Sequence, residues 1–176
     1  MDDADLVKEF RRGNQEAFSE LVRKYSRPLT LMILKLVRDE DQARDISQTA
    51  LLRAYEGFPR FTMASSFKTW LYSIALNAAR DHLRRRKVLI SHEVLPELPD
   101  PVESAGEQLD KFRNVDRLRA AIAQLPEKQL LTLQLRIYEE MDFREIAEIL
   151  GGTAAGARGN FFQAAKTLRE KLRSIT

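Results

Sequence analysis

Apolar residues recur along most of this chain at the spacing of amphipathic helices. Leu29, Met32, Ile33, Leu36 and Val37 fall at i, i+3, i+4, i+7 and i+8, on one face of a helix. The same period returns at residues 17–25, 71–78 and 118–125, and no stretch alternates apolar and polar residues as a strand would. The pattern therefore predicts an all-α protein.

Helix start signals support this prediction at three places. Asp39 can cap a helix before Gln42, and the segment DFRE from Asp142 is an acidic variant of the capping box. Pro126 suits the first turn of a helix, where its missing N–H does no harm. We expect helices to begin at each of these residues.

The helical period stops between Val88 and Asp110, a stretch that holds three of the six prolines. This composition predicts a linker over residues 88–112 between two helical domains, at residues 1–87 and 113–176. The linker carries one basic and six acidic groups, whereas the first domain carries 17 and 12 and the second 11 and 8. Basic domains suit polyanion binding. The acidic linker could avoid nucleic acid, imitate a nucleic-acid strand in a basic channel, or simply be solvated.

Composition excludes several classes of protein. The chain has no cysteine, and His82 and His92 lack partners at metal-ligand spacing, so we expect no metal site, no cofactor and two ordinary surface histidines. No phosphate-binding glycine loop or nucleophile–base pair suggests an enzyme. An acidic N-terminus and the lack of a long apolar run predict a cytoplasmic protein without membrane insertion.

The C-terminal segment FREIAEILGGTAAGARGNFF has the spacing of a helix-turn-helix. Ala147, Gly151 and Ala157 stand at relative positions 5, 9 and 15, where the helices cross, the chain turns and the second helix packs back on the first. Thr153 can cap the second helix.

On a helical wheel, the second helix separates into two faces. One face should meet the core and comprises Ala157, Phe161, Ala164, Ala165, Leu168 and Leu172. The other could contact bases or phosphates and comprises Thr153, Arg158, Asn160, Phe162, Gln163, Lys166 and Arg169, with Gly159 among them. A packed helix with a mixed surface remains the alternative.

Two segments of the N-terminal domain make the interpretation specific. Together with the helix-turn-helix, the runs ARDISQTALLRAYEGF and RFTMASSFKTWLYSIALNAARDHLRRRK resemble conserved regions of the extracytoplasmic function (ECF, group 4) sigma factors of bacterial RNA polymerase. The first is similar to region 2.2, the second to regions 2.3 and 2.4, and residues 125–172 to region 4. The resemblance covers most of the chain in the family's order.

Region 2.2 of this family meets the clamp helices of the polymerase β′ subunit. The resemblance thus implies a docking face for core polymerase, and a mixed polar and apolar helix face suits that role. Thr49 departs from the glutamate that usually follows the glutamine, so one contact with core polymerase would be absent. Without the resemblance, a capped amphipathic helix with solvated charges is the favoured explanation of the run. The residues implied are Asp45, Gln48, Leu51, Leu52 and Arg53.

In the family, the loop that corresponds to RFTMASSF captures a base flipped from the −10 element, a step that stacking or a snug pocket must offset. The basic run that ends at Lys87 would attract phosphates. Aromatic residues at this spacing are usually core residues, and we expect Trp70 to be one. The implied −10 contacts are Phe61, Met63, Ser65, Ser66, Lys68, Asn77, Arg80 and Arg84.

The resemblance implies a non-enzymatic initiation factor that binds core RNA polymerase through its β′ and β subunits and reads promoter DNA. The C-terminal helix would read the −35 duplex, the linker would pass through the polymerase, and an anti-sigma factor would regulate the protein. Two alternatives are a stand-alone helix-turn-helix regulator and a sigma-like interaction protein without promoter readout.

Overall fold

The structure is a computed structural model that describes residues 2–90, 118, 120–122 and 124–173. The N-terminal domain contains four α-helices and a short 3-10 turn at Phe58–Arg60. The helices are α1 (Asp3–Arg11), α2 (Gln15–Val37), α3 (Glu40–Gly57) and α4 (Phe67–Ile90). The predicted linker lies outside the described residues, apart from 88–90, which belong to α4.

Short polar side chains set the starts of the N-terminal helices. Asp2 accepts a hydrogen bond from the Asp5 amide at 2.8 Å, and Asp39 accepts one from the Gln42 amide at 3.0 Å, as its position in the sequence predicts. Asn14 caps α2 in the same way. These caps satisfy amides that the first turn leaves without helical partners.

The core of the N-terminal domain follows the predicted helical period. Leu29, Met32, Ile33 and Val37 are buried on α2, which packs against α1, α3 and α4. An aromatic cluster fills the space beside α2, where ring centroids lie 4.5 to 6.3 Å apart, a range typical of attractive aromatic contacts. Its members are Phe10, Phe18, Phe58, Phe61, Phe67 and Trp70.

The C-terminal domain contains α5 (Glu127–Ile137), α6 (Phe143–Leu150) and α7 (Ala154–Arg173). Pro126 is the residue immediately before α5 rather than within its first turn. In the parts of the chain that the structure describes there is no β-strand, which confirms the all-α prediction. No helix among these residues is long and apolar enough to cross a bilayer.

The predicted helix-turn-helix is formed by α6 and α7. Asp142 and Glu145 make the reciprocal hydrogen bonds of a capping box, and the Thr153 hydroxyl accepts a hydrogen bond from the Gly156 amide at 3.1 Å. Gly151 has φ +70, a conformation that favours glycine, at the turn between the helices. Ala147 and Ala157 are buried, as their positions in the motif require.

Candidate functional site

The outward face of α7 carries most of the polar side chains that the sequence assigns to DNA. Arg158, Gln163, Lys166 and Arg169 are exposed, as is Thr153 at the helix start. Phe162 is 62% exposed, which is unusual for a phenylalanine. Asn160 is half-buried on the flank of the helix, and Leu172, which the wheel assigns to the core, is 38% exposed.

Neighbouring side chains orient part of this face. The Arg158 guanidinium lies 5.6 Å from the centre of the Phe143 ring, a cation–π distance, and Phe143 packs edge-on against Phe161. Lys166 Nζ is 3.9 Å from the Glu170 carboxylate, in an exposed pair that contributes little to stability. The result is an exposed face with one arginine held against an aromatic ring, one exposed ring and two further cations.

At the start of α4, the loop of residues 61–66 presents a second group of polar side chains. Met63 is 37% exposed and has φ +61, a strained conformation for a residue other than glycine. Ser65 is half-buried, and Ser66 caps α4 by accepting a hydrogen bond from the Thr69 amide at 3.0 Å. Met63 is thus a large exposed apolar side chain in this loop.

Phe61 does not belong to the exposed surface of this loop, contrary to the sequence-based assignment. It is only 5% exposed and stacks on Trp70 with ring centroids 4.6 Å apart. Arg11 also donates a hydrogen bond to its carbonyl oxygen. Trp70 is half-buried against the core, as expected for a core aromatic. Phe61 therefore shapes the loop from within, because its ring fills the aromatic cluster.

The cations of α4 differ in their surroundings. Lys68 and Arg80 are ion-paired with glutamates of the C-terminal domain, at 3.1 Å from Glu139 and 3.0 Å from Glu127. Arg84 is exposed and pairs with Asp81 on its own helix at 2.9 Å. The sequence identified these cations, but it did not predict their partners in the other domain.

Three remaining polar groups of α4 have simpler environments. Asn77 is exposed on the predicted DNA face. His82 is half-buried, and its Nε2 lies 2.8 Å from the Gln42 Oε1, so it joins α4 to α3 rather than lying free at the surface. His92 lies outside the described residues.

The face of α3 contains four of the five residues assigned to polymerase docking. Asp45, Gln48 and Arg53 are exposed, and Leu52 is 57% exposed. Leu51 instead is partly buried and packs against the core. Tyr55 was not predicted from the sequence as part of this face. It is 43% exposed and lies at i+3 from Leu52, a spacing that could have identified it.

Glu139 stands among buried phenols between the two domains. Burial raises the pKa of Tyr72, and the nearby Glu139 carboxylate raises it further. Burial likewise raises the pKa of Tyr25, with a hydrogen bond to Asp3 adding to the effect. Burial lowers the pKa of Lys35, against the opposing effect of Glu139. Glu139 therefore lies in a confined, partly apolar setting, with its side chain only 12% exposed.

The sequence reading also missed an apolar groove of about 490 Å³ on the C-terminal domain, between α5 and α7. Ile137 in its wall is 54% exposed, which marks the groove as an unfilled apolar surface rather than part of the core. The sequence could have indicated this groove, because apolar residues of α5 and α7 extend beyond the helix faces that are buried. The groove is lined by Leu118, Leu133, Ile137, Phe161, Leu168 and Leu172.

Comparison with known proteins assigns both domains. Residues 21–88 match the family model of Sigma-70 region 2, and residues 116–168 match that of Sigma-70 region 4. The chain is 30% identical to the RNA polymerase sigma-H factor of Pseudomonas aeruginosa, over 98% of this chain and 95% of that protein. It is 26% identical to the ECF RNA polymerase sigma factor SigW of Bacillus subtilis, over 96% of each.

Solved structures share the fold. CnrH, solved in complex with the cytosolic domain of CnrY, gives a TM-score of 0.73 at 22% identity over 99% of both chains. The sigma factor RpoE, solved with the anti-sigma factor NepR from Bartonella quintana, gives 0.71 at 21% identity, over 89% of this chain and 96% of the other.

Proposed function

Because this chain belongs to the ECF branch of the sigma-70 family, whose members direct transcription and are non-enzymatic, we propose that three of its surfaces divide the work of initiation. The face of α3 docks core polymerase, the loop of residues 61–66 with α4 holds the −10 element, and α7 reads the −35 element. The region 2 match at residues 21–88 sets aside a stand-alone helix-turn-helix regulator, which needs no such domain.

For core polymerase, the docking face consists of Asp45, Gln48, Leu52 and Arg53, extended by Tyr55. An apolar centre of Leu52 and Tyr55 with charged neighbours has the composition of a protein interface, in which aromatic and arginine side chains supply most of the binding energy. Leu51 supports this face from beneath, because it packs against the core.

For the −10 element, the binding residues are Met63, Ser65, Ser66, Lys68, Asn77, Arg80 and Arg84. Met63 is the side chain that a flipped base would meet, because it is 37% exposed and lies on a strained backbone. The cations would hold the strand by its phosphates without reading sequence. DNA opening on this account uses binding energy for unpaired bases, and this protein hydrolyses no nucleotide.

For the −35 element, α7 enters the major groove with Arg158, Asn160, Phe162 and Gln163 toward the bases. Thr153, Lys166 and Arg169 lie toward the phosphates. Arginine can donate two hydrogen bonds to guanine, and a phenylalanine ring can contact the thymine methyl. The exposed Phe162 carries this proposal furthest, because a large apolar ring in the middle of a polar helix face has no role in the domain's own core.

We also infer an anti-sigma factor as a partner. Two proteins of the same fold were solved in complex with partner proteins, one of them named as an anti-sigma factor. The apolar groove between α5 and α7 supplies a surface that an apolar helix of such a partner can fill.

Two substitutions in α7 test the proposal, with promoter fragments selected by the polymerase holoenzyme as the probe. Arg158→Ala should relax base preference at one position of the upstream element, a loss of about 1–3 kcal/mol of discrimination. Lys166→Ala should weaken binding to every sequence alike and reduce its salt dependence. Arg12→Ala removes an exposed cation immediately after α1 as the control. Unchanged sequence preference in Arg158→Ala would contradict the role of α7 in base reading.

A further inference from the structure

Met63 lies in a loop that is anchored at both ends. At one end, the Phe61 ring stacks on Trp70 with ring centroids 4.6 Å apart. At the other end, the Ser66 hydroxyl accepts a hydrogen bond from the Thr69 amide at 3.0 Å. Between these anchors, Met63 has φ +61 and is 37% exposed. The loop therefore presents Met63 to solvent from a backbone that is fixed on both sides.

Met63 differs from the other described methionines in its exposure. The chain has four methionines and no cysteine. Met32 and Met141 are only 4% and 2% exposed, and Met1 lies outside the described residues. A thioether reacts with peroxide when the oxidant reaches its sulfur, and the chain has no thiol to compete for that oxidant. Peroxide should therefore oxidise Met63 well before the two buried methionines.

Oxidation of Met63 is a two-electron step at a single side chain. The thioether sulfur attacks one peroxide oxygen, the S–O bond forms as the O–O bond breaks, and the other oxygen leaves as water. Two thiols of a reductase reverse the step, because they supply two electrons and form a disulfide and water. Since Met63 lies at the surface, the sulfoxide needs no space in the core, and we expect the fold to stay intact.

The sulfoxide changes what the loop offers to an unpaired base. A thioether is apolar and polarisable and makes favourable contacts with aromatic rings, whereas a sulfoxide is polar. A base that covers the sulfoxide removes water from its oxygen, which costs free energy unless a new hydrogen bond replaces that water. The affinity of the loop for an unpaired base should therefore fall when Met63 is oxidised.

We propose that Met63 is a reversible oxidation site, through which hydrogen peroxide weakens the hold of this loop on the melted −10 strand. The inference rests on the proposed function, because it takes the loop as the place where an unpaired base binds. The redox-sensitive group is a thioether, since the chain has no cysteine that could act as a redox-active thiol.

Peptide mass spectrometry tests the site of oxidation without DNA. The full-length protein is treated with hydrogen peroxide, the reaction is stopped with catalase, and circular dichroism establishes that the protein remains folded. Cleavage after lysine and arginine places each methionine on a separate peptide, and Met63 lies on residues 61–68. Met63 should gain one oxygen atom at least about 10-fold faster than Met32 and Met141. Equal rates at the three residues would overturn the proposal.

The effect on DNA is measured by fluorescence anisotropy with a promoter fragment whose −10 segment is held unpaired by mismatches. Oxidised protein is freed of peroxide and then assembled with untreated core polymerase. Oxidation should lower the affinity about 3- to 10-fold, the range set by the loss of a sulfur–aromatic contact. Methionine sulfoxide reductases with a thiol reductant should restore it. An unchanged affinity, or a loss that the reductases do not reverse, would overturn the proposal.

Met63→Leu is the matched control for this measurement. Leucine has no sulfur and, like methionine, is not branched at its β-carbon, so it fits φ +61 about as well. The variant keeps Met1, Met32 and Met141, and each protein is compared with its own untreated sample. Peroxide should leave the affinity of Met63→Leu at its untreated value. An equal loss in both proteins would place the effect at another residue and overturn the proposal.

Untreated Met63→Ala separates a failure of this inference from a failure of the proposed function. If Met63→Ala binds the unpaired −10 segment more weakly than the wild type but oxidation has no effect, the oxidation site is overturned and the −10 assignment stands. If neither the substitution nor oxidation changes the affinity, Met63 does not contact the base, which contradicts its role in the proposed function as well.

Discussion

At the scale of single residues, Gly159 is the clearest weakness of α7. It lies on the exposed face of the helix, and a β-carbon added there would meet nothing within 4 Å. Alanine is favoured over glycine by about 1 kcal/mol inside a helix. We therefore expect Gly159→Ala to raise the free energy of unfolding by about that amount, measured by urea denaturation.

Gly156 provides the matched control for this substitution. A β-carbon at Gly156 would lie 3.3 Å from the Thr153 hydroxyl that caps α7, so Gly156→Ala should gain less or lose stability. A transcription assay tests whether Gly159 is also needed for close approach of DNA. Lost promoter activity in a stable Gly159→Ala protein would show that DNA approaches this backbone too closely for a methyl group. If the free energy of unfolding of Gly159→Ala does not rise, the expected cost of glycine within the helix is contradicted.

Individual residues differ in how well their environments can be predicted from the sequence. The exposure of Arg158 and Lys166 could be predicted because helical position alone decides that they point outward. Phe61 was misassigned because its burial depends on Trp70, nine residues further along the chain and on another element. The glutamate partners of Lys68 and Arg80 lie more than 40 residues away, and no local pattern carries that information.

At the scale of elements, α6 depends on the charge of its cap. Hydrogen bonds from the amides of Glu145 and Arg144 hold the pKa of the Asp142 carboxyl below its ordinary value of 3.8. A carboxyl whose pKa is lower in the folded state stabilises the fold at pH values above its ordinary pKa. That stabilisation is lost as the pH falls through the pKa of the folded state.

We expect the Tm of the protein to fall with acid below about pH 4, in part through Asp142. Asp142→Asn keeps a capping side chain without a titrating group, so its Tm should depend less on pH over this range. Asp142→Ala should lower Tm at neutral pH as well, because the cap is lost. Scanning calorimetry across the pH range checks both. Identical acid profiles for the wild type and Asp142→Asn would contradict the assignment.

Elements were more predictable from the sequence than the interface between them. Asp39, Asp142 and Thr153 act on amides two or three residues away, so their capping roles follow from local spacing. The end of α4 at Ile90, three residues into the predicted linker, shows the limit of this reasoning. A drop in apolar periodicity marks the loss of a packed face, and a helix can extend beyond that point.

At the scale of the whole molecule, the two domains pack together through α4 and α6. The exposed faces of α3 and α7 remain accessible in this arrangement, whereas part of the α4 surface is covered by the C-terminal domain. Sequence alone could not reveal this difference, since it depends on which acidic side chains face which cations.

The most direct test is run-off transcription with core polymerase and a library of promoter fragments. The account predicts that the purified protein makes core polymerase initiate on a subset of fragments that share two separated motifs, one in the melted region and one upstream. Core polymerase alone should not select them. Binding to core without selective transcripts would contradict promoter readout by α4 and α7 and leave an interaction protein in its place.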